Sequence, residues 1–127
     1  MALEIGLSAR VTLTVTEADT AQGLGSGDVP VLGTPRLLAL AEAATVRATA
    51  RHLPAGGTTV GTRVELAHLA ATPIGGVVMV EARLSTVDGS RLGFDISAHE
   101  GGTVIARGTV ERVLVNRERF VAKATSR

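Results

Sequence analysis

Only one stretch of this 127-residue chain has the make-up of a helix. It covers 34–53, TPRLLALAEAATVRATARHL, where Ala and Leu supply strong helix formers. The other patterned segments alternate apolar and polar residues with a period of two, as half-buried strands do. The first, ARVTLTV, spans 9–15, and four longer runs follow the helix at 59–70, 76–87, 91–99 and 103–115. One helix among five strands leaves few arrangements. The strands must make a sheet, and the helix must cover its apolar face. The expectation is a single α+β domain over 1–127: strand, long loop, helix, then an antiparallel meander of four strands.

The punctuation between these runs agrees. Thr34 is expected to cap the helix with its hydroxyl, and Pro35 fits the first helical position, where no N–H is needed. PAGG at 54–57 stops the helix, while Asp88-Gly89 and Gly101-Gly102 read as hairpin turns. Segment 17–33 holds four glycines and a proline without helical period, so it reads as a long loop of the kind that often carries function. The polar tail NRERFVAKATSR reads as a loosely ordered end.

Parity assigns the faces, because residues two apart in a strand share one. Over 60–70 the even set is Val60, Thr62, Val64, Leu66, His68 and Ala70, which makes it the buried face and puts His68 on it. Val78, Val80, Ala82 and Leu84 face inward in the next run, and Leu92, Phe94, Ile96 and Ala98 in the one after. In the last run Arg112 shares the apolar face with Val104, Ala106, Gly108, Val110 and Leu114. On the helix, Glu42 has Leu38, Ala39, Thr45 and Val46 at the neighbouring spacings and no cation among them. Glu42, His68 and Arg112 are therefore ionisable groups on or near apolar faces. Gathering them in one place would offset the cost of burying them and would make a reactive site. Each also has a plain structural reading: a solvated helix carboxylate, a satisfied core histidine, an arginine reaching out at a strand edge.

Composition removes several functions. There are 13 basic and 12 acidic residues, well mixed, with two Phe and no Trp or Tyr, so neither a basic stripe nor a base-stacking platform for nucleic acid exists. No cysteine is present to form a disulfide, a thiolate nucleophile or a Cys metal site. The three histidines are scattered and none has HExxH spacing, so no metal is expected. No apolar run approaches the roughly 18 residues of a membrane helix. MALEIGLSAR does not read as a secretory leader, so a cytoplasmic protein with no membrane partner is expected. A core with 2% aromatic residues favours self-association to cover apolar surface.

The order of elements resembles the hotdog fold, a five-stranded antiparallel sheet wrapped around one long helix. The closest likeness is to the fluoroacetyl-CoA thioesterase-like family. It rests on LGTP opening the helix, LAEAATVRA, VGTRVELAHLAATPIG, SAHEGG and GTVERVLV, of which HxAATPxG is the most specific. The resemblance covers about residues 8–122 and implies an acyl-CoA thioesterase for a small or medium acyl group. It implies Thr34, Glu42 and His68 as catalytic residues and Gly61 and Arg112 as substrate-binding residues, Gly61 being reached from a partner subunit. It also implies a homodimer, possible stacking of dimers into tetramers, and coenzyme A as part of the substrate rather than as a cofactor. Coenzyme A and an acyl-carrier protein both remain open as the carrier. Members specialised for fluoroacetyl-CoA carry phenylalanines in the loop before the helix, and AQGLGSGDVPVLG has none. Two other readings stay open beside the hydrolase: a non-catalytic protein sequestering a hydrophobic small molecule, and, more weakly, a dehydratase.

Overall fold

A computed structural model describes residues 2–126. Strand β1 is Ser8–Thr14; a 3-10 turn at Glu17–Asp19 and the short α1, Ala21–Leu24, lead to the central helix α2, Thr34–Thr49. A 3-10 turn at Ala50–His52 ends it, and β2 (Gly57–His68), β3 (Val77–Asp88), β4 (Arg91–Glu100) and β5 (Thr103–Asn116) follow. A last helix, α3, takes Arg117–Thr125, where a loosely ordered tail was expected; the side chain of Asn116 caps it by accepting from the Arg119 N–H.

The five strands form one antiparallel sheet in the order β1-β3-β4-β5-β2. This is the hotdog arrangement, with one correction to the meander. Only β3, β4 and β5 are hairpin neighbours, while β2 crosses over to pair with β5 and forms an edge. Gly89 takes the left-handed φ of +60° that the β3–β4 turn requires.

The inward faces of β3 and β4 match the parity reading. Val78, Val80, Ala82, Leu84, Leu92, Phe94, Ile96 and Ala98 are all buried, each large one contributing about 1.5–3 kcal/mol. Helix α2 lays Leu37, Leu40, Ala41, Ala44 and Ala48 on them. Its small residues let the helix sit close to the sheet, and its buried threonines bond back to the helix, Thr45 to the Glu42 carbonyl at 2.6 Å and Thr49 to the Thr45 carbonyl at 3.2 Å. The helix packs chiefly on β1 and β3 and only lightly on β2 and β5. Val64 and Leu66 are consequently half-buried along a lightly packed seam between α2 and β2.

Two sequence readings change here, both at this seam. The N-cap of α2 is Gly33, whose carbonyl accepts from Arg36 N and Leu37 N at 3.1 Å; Thr34 and Pro35 lie one position further in. The Thr34 hydroxyl is thus not used as a cap. In β2, a bulge at Thr62 shifts the register between Gly61 and Arg63. A bulge adds one residue and flips the parity. Upstream of it Thr59 and Gly61 face the helix, not Val60 and Thr62; downstream Val64, Leu66 and His68 face inward as expected.

The loop before α2 is tied at its stem. Ala21 N donates to the Val31 carbonyl at 2.8 Å and Leu32 N to the Thr72 carbonyl at 2.8 Å. Asp19 accepts from Thr16 N and Oγ1 at 2.8 Å and pairs with Arg36 at 2.9 Å. Burial raises the Asp19 carboxyl, but the Thr16 bonds and Arg36 together outweigh it and hold the group below its ordinary value. The tip, 25–30, is exposed. Among the described residues no helix is long and apolar enough to cross a membrane.

Candidate active site

The candidate residues fall into two clusters along the seam between α2 and β2. At one end, the first turn of α2 brings the Thr34 hydroxyl to 2.9 Å from His68 Nδ1, at the last residue of β2. Thr34 is exposed and His68 half-buried. In the tautomer protonated on Nε2, Nδ1 accepts from the hydroxyl. Nε2 itself is buried without a hydrogen-bond partner among the described residues, so the ring has one nitrogen fixed and one free.

At the other end, two turns along α2, Glu42 meets Arg112 of β5. Arg112 Nη1 donates to Glu42 Oε2 at 3.1 Å, Nε to Thr59 Oγ1 at 2.9 Å and Nη2 to the Thr59 carbonyl at 2.9 Å. The arginine side chain is 8% exposed and the glutamate 35%. Burial lowers the Arg112 pKa; the charge and hydrogen bond of Glu42 act against this and recover part of the shift. The cation that the helix itself lacks thus comes from the sheet. A buried arginine without that partner would be costly.

Gly61 completes this end. It sits opposite Arg112 in the β2–β5 pairing, and a Cβ there would collide with Glu42 Oε2. Only a residue without a side chain lets the carboxylate lie against the strand. The resemblance implied a glycine reached from a partner subunit; this Gly61 lies against Glu42 of its own chain. Beyond the cluster, Arg112 borders a cavity of about 610 Å³ whose walls include Arg63, Asp88, Arg91 and Glu111.

The structure therefore joins Thr34 to His68, and Glu42 to Arg112 and Gly61, but does not gather all of them in one place. Thr34 and Glu42 are eight residues apart on α2, about 12 Å along the axis. Thr59 is the residue that sequence reasoning missed. Its signal was Gly61: a glycine inside a strand run marks a bulge or a close backbone approach, and one bulge turns Thr59 inward. Among the described residues no group of His, Asp and Glu could hold a metal.

Residues 15–118 match the model of a family described as fluoroacetyl-CoA-specific thioesterase. The fluoroacetyl-CoA thioesterase of Streptantibioticus cattleyicolor is 43% identical over 93 residues, which is 73% of this chain and 67% of that protein. A solved fluoroacetyl-CoA thioesterase superposes with a TM-score of 0.92 at 34% identity, over 100% of this chain and 98% of the other. A threonine-to-serine variant solved with acetyl-CoA gives 0.91 at 33% identity, over 98% of each chain.

Proposed function

The chain belongs to the fluoroacetyl-CoA-specific thioesterase family, and from that membership we propose how its residues cleave an acyl-CoA thioester. The protein is a thioester hydrolase that releases the free acid and coenzyme A. Nothing in its relatives supports a sequestering protein instead.

Glu42 is the reacting carboxylate. It either removes a proton from the attacking water or attacks the carbonyl itself, giving a mixed anhydride that water then opens. The N–H of Gly61, beside it, holds the developing oxyanion; one such donor is worth roughly 3–4 kcal/mol. In the tautomer with the proton on Nδ1, donated to Thr34 Oγ1, His68 Nε2 takes the proton that the water gives up. It passes this proton to the thiolate expelled when the tetrahedral intermediate collapses, so the ring ends neutral. Thr34 fixes the ring through Nδ1. Arg112 holds Glu42 in place and lies toward the coenzyme, an assignment supported by Arg63 and Arg91 on the cavity it borders. The scheme uses side chains, one main-chain N–H and water. A coenzyme A ester is an intracellular metabolite, so a cytoplasmic setting is part of the proposal.

The observation that carries this reading is the split into two clusters at opposite ends of an edge strand. The clusters can serve one carbonyl when they come from two chains. With the Thr62 bulge counted out, pairing two β2 edges antiparallel about a two-fold at Glu65 sets His68 opposite the partner subunit's Gly61, and each dimer then has two composite sites. The exposed side of α2 fits such a partner, since Pro35, Ala39, Ala43 and Val46 are uncovered there. The test mixes two inactive variants, Glu42→Ala and His68→Ala, by co-expression. Heterodimers hold one intact composite site, so about a quarter of wild-type thiol release returns in a statistical mixture. No regain would place both residues in one chain and overturn the composite site. Full activity in either variant alone would overturn the assignment of that residue.

The acyl group follows from the loop. The loop exposes Leu24 and Val29 and carries no aromatic ring, which supports a range of acyl groups wider than fluoroacetyl. A panel of acyl-CoA esters tests this; turnover of fluoroacetyl-CoA alone would sink it.

A further inference from the structure

We propose that Thr59 is a positioning residue, holding Arg112 so that the arginine grips only one oxygen of Glu42. The inference rests on reading Glu42 as the reacting carboxylate. A guanidinium beside a carboxylate favours the fork-on-fork arrangement, with two parallel N–H bonds to the two oxygens. Arg112 does not adopt it. Its Nε and Nη2 form one edge of the planar group, and both are taken by a single residue, Thr59, through Oγ1 and the main-chain carbonyl at 2.9 Å each. Nη1 is left to reach Glu42, and it reaches Oε2 only.

The grip is rigid for three reasons. Thr59 and Arg112 are both buried, at 8% and 7% exposure, so water competes little for these bonds. Threonine is β-branched, which stiffens χ1. One of the two acceptors is main chain, set by the pairing of Thr59 with Leu114 across β2 and β5. The bulge at Thr62 is what turns this residue inward. The Glu42 carboxylate accepts no other hydrogen bond among the described residues, so Oε1 stays available to water or to the thioester carbonyl. Without the grip, Arg112 can rotate its fork onto Glu42 and occupy both oxygens.

Valine at 59 keeps the shape and removes the acceptor. Thr59→Val is expected to lower kcat roughly tenfold to a hundredfold, the range set by one charged hydrogen bond, and to lower kcat by more than it raises KM. Thr59→Ser restores the acceptor and keeps kcat near the wild type. A merely structural role would move Tm and leave kcat alike in the two variants. In an Arg112→Lys background, where no fork remains to be aimed, Thr59→Val is expected to add no further loss. Wild-type kcat in Thr59→Val, or an equal loss in both backgrounds, overturns the proposal. Should the valine variant not fold, Thr59→Cys replaces it as a poor acceptor of similar size: reduced kcat beside an active Thr59→Ser supports the grip, and equal kcat overturns it. Glu42→Ala is assayed alongside. If it stays active, the reading of Glu42 falls; if it is dead while Thr59→Val matches the wild type, only the grip falls.

Discussion

The two ends of the seam between α2 and β2 are built differently. Glu42 lies against a strand and is held by an arginine that is itself fixed by two further bonds within the sheet. His68 is the last residue of its strand and is held by one bond from an exposed threonine in the first turn of α2. One end is a rigid anchor inside regular structure, and the other is a lightly held ring at the boundary of two elements. The difference suits the chemistry. A carboxylate that aligns an attacking oxygen gains from a fixed position, whereas a ring that passes a proton needs one free nitrogen.

Disturbing the rigid end should cost the most. Gly61→Ala puts a methyl where Glu42 Oε2 lies. Glu42 must move by a sizeable fraction of an ångström or more, and turnover of acyl-CoA is expected to fall about a hundredfold, with Tm little changed because Gly61 is exposed rather than part of the core. Unaltered kinetics would mean that the close approach of Glu42 to the strand has no part in the reaction. At the lighter end, Thr34→Val removes the single bond to the ring, and a loss of roughly tenfold is expected. Thr34→Ser should keep most of the rate. A larger loss at Thr34 than at Gly61 would reverse the ranking of the two ends.

The smallest effect on turnover is expected at the base of the loop. Asp19→Asn weakens the ties to Thr16 and Arg36 that hold the start of α2. The Asp19 carboxyl is lowered from 3.8 in the folded chain, so its contribution to stability is present above that value and is lost as pH falls through the folded pKa. The variant should melt about 4 °C below the wild type near pH 7, and the gap should close below pH 3.8. A gap that stays constant down to pH 2 would show that the charge of Asp19 is not what holds the stem.

The same contrast explains what could be read from the residues alone. The helix, the five strands and the inward faces of β3 and β4 were legible because burial on one side imposes a strict period. Glu42 and Arg112 stood out because each breaks such a period with a charge, and they do pair. The bulge at Thr62 was not legible, since it is an insertion in register rather than a residue type, and it hid Thr59 behind the wrong parity. The cap of α2 was misplaced by one residue because Thr34 is a good cap by chemistry; its hydroxyl is spent on His68 instead. The crossover of β2 to the far edge was hidden as well, because pairing partners are set by packing around α2 and not by order in the chain.

The loop before α2 has a stem zipped to the rest of the molecule and an exposed tip, 25–30. Such a part behaves as an interchangeable cartridge. Lengthening or rewriting a tip of this kind costs folding little, since loop closure grows only slowly with length. Related chains could therefore trade one acyl preference for another by exchanging a handful of residues there, while the carboxylate, the ring and the sheet that carries them stay as they are.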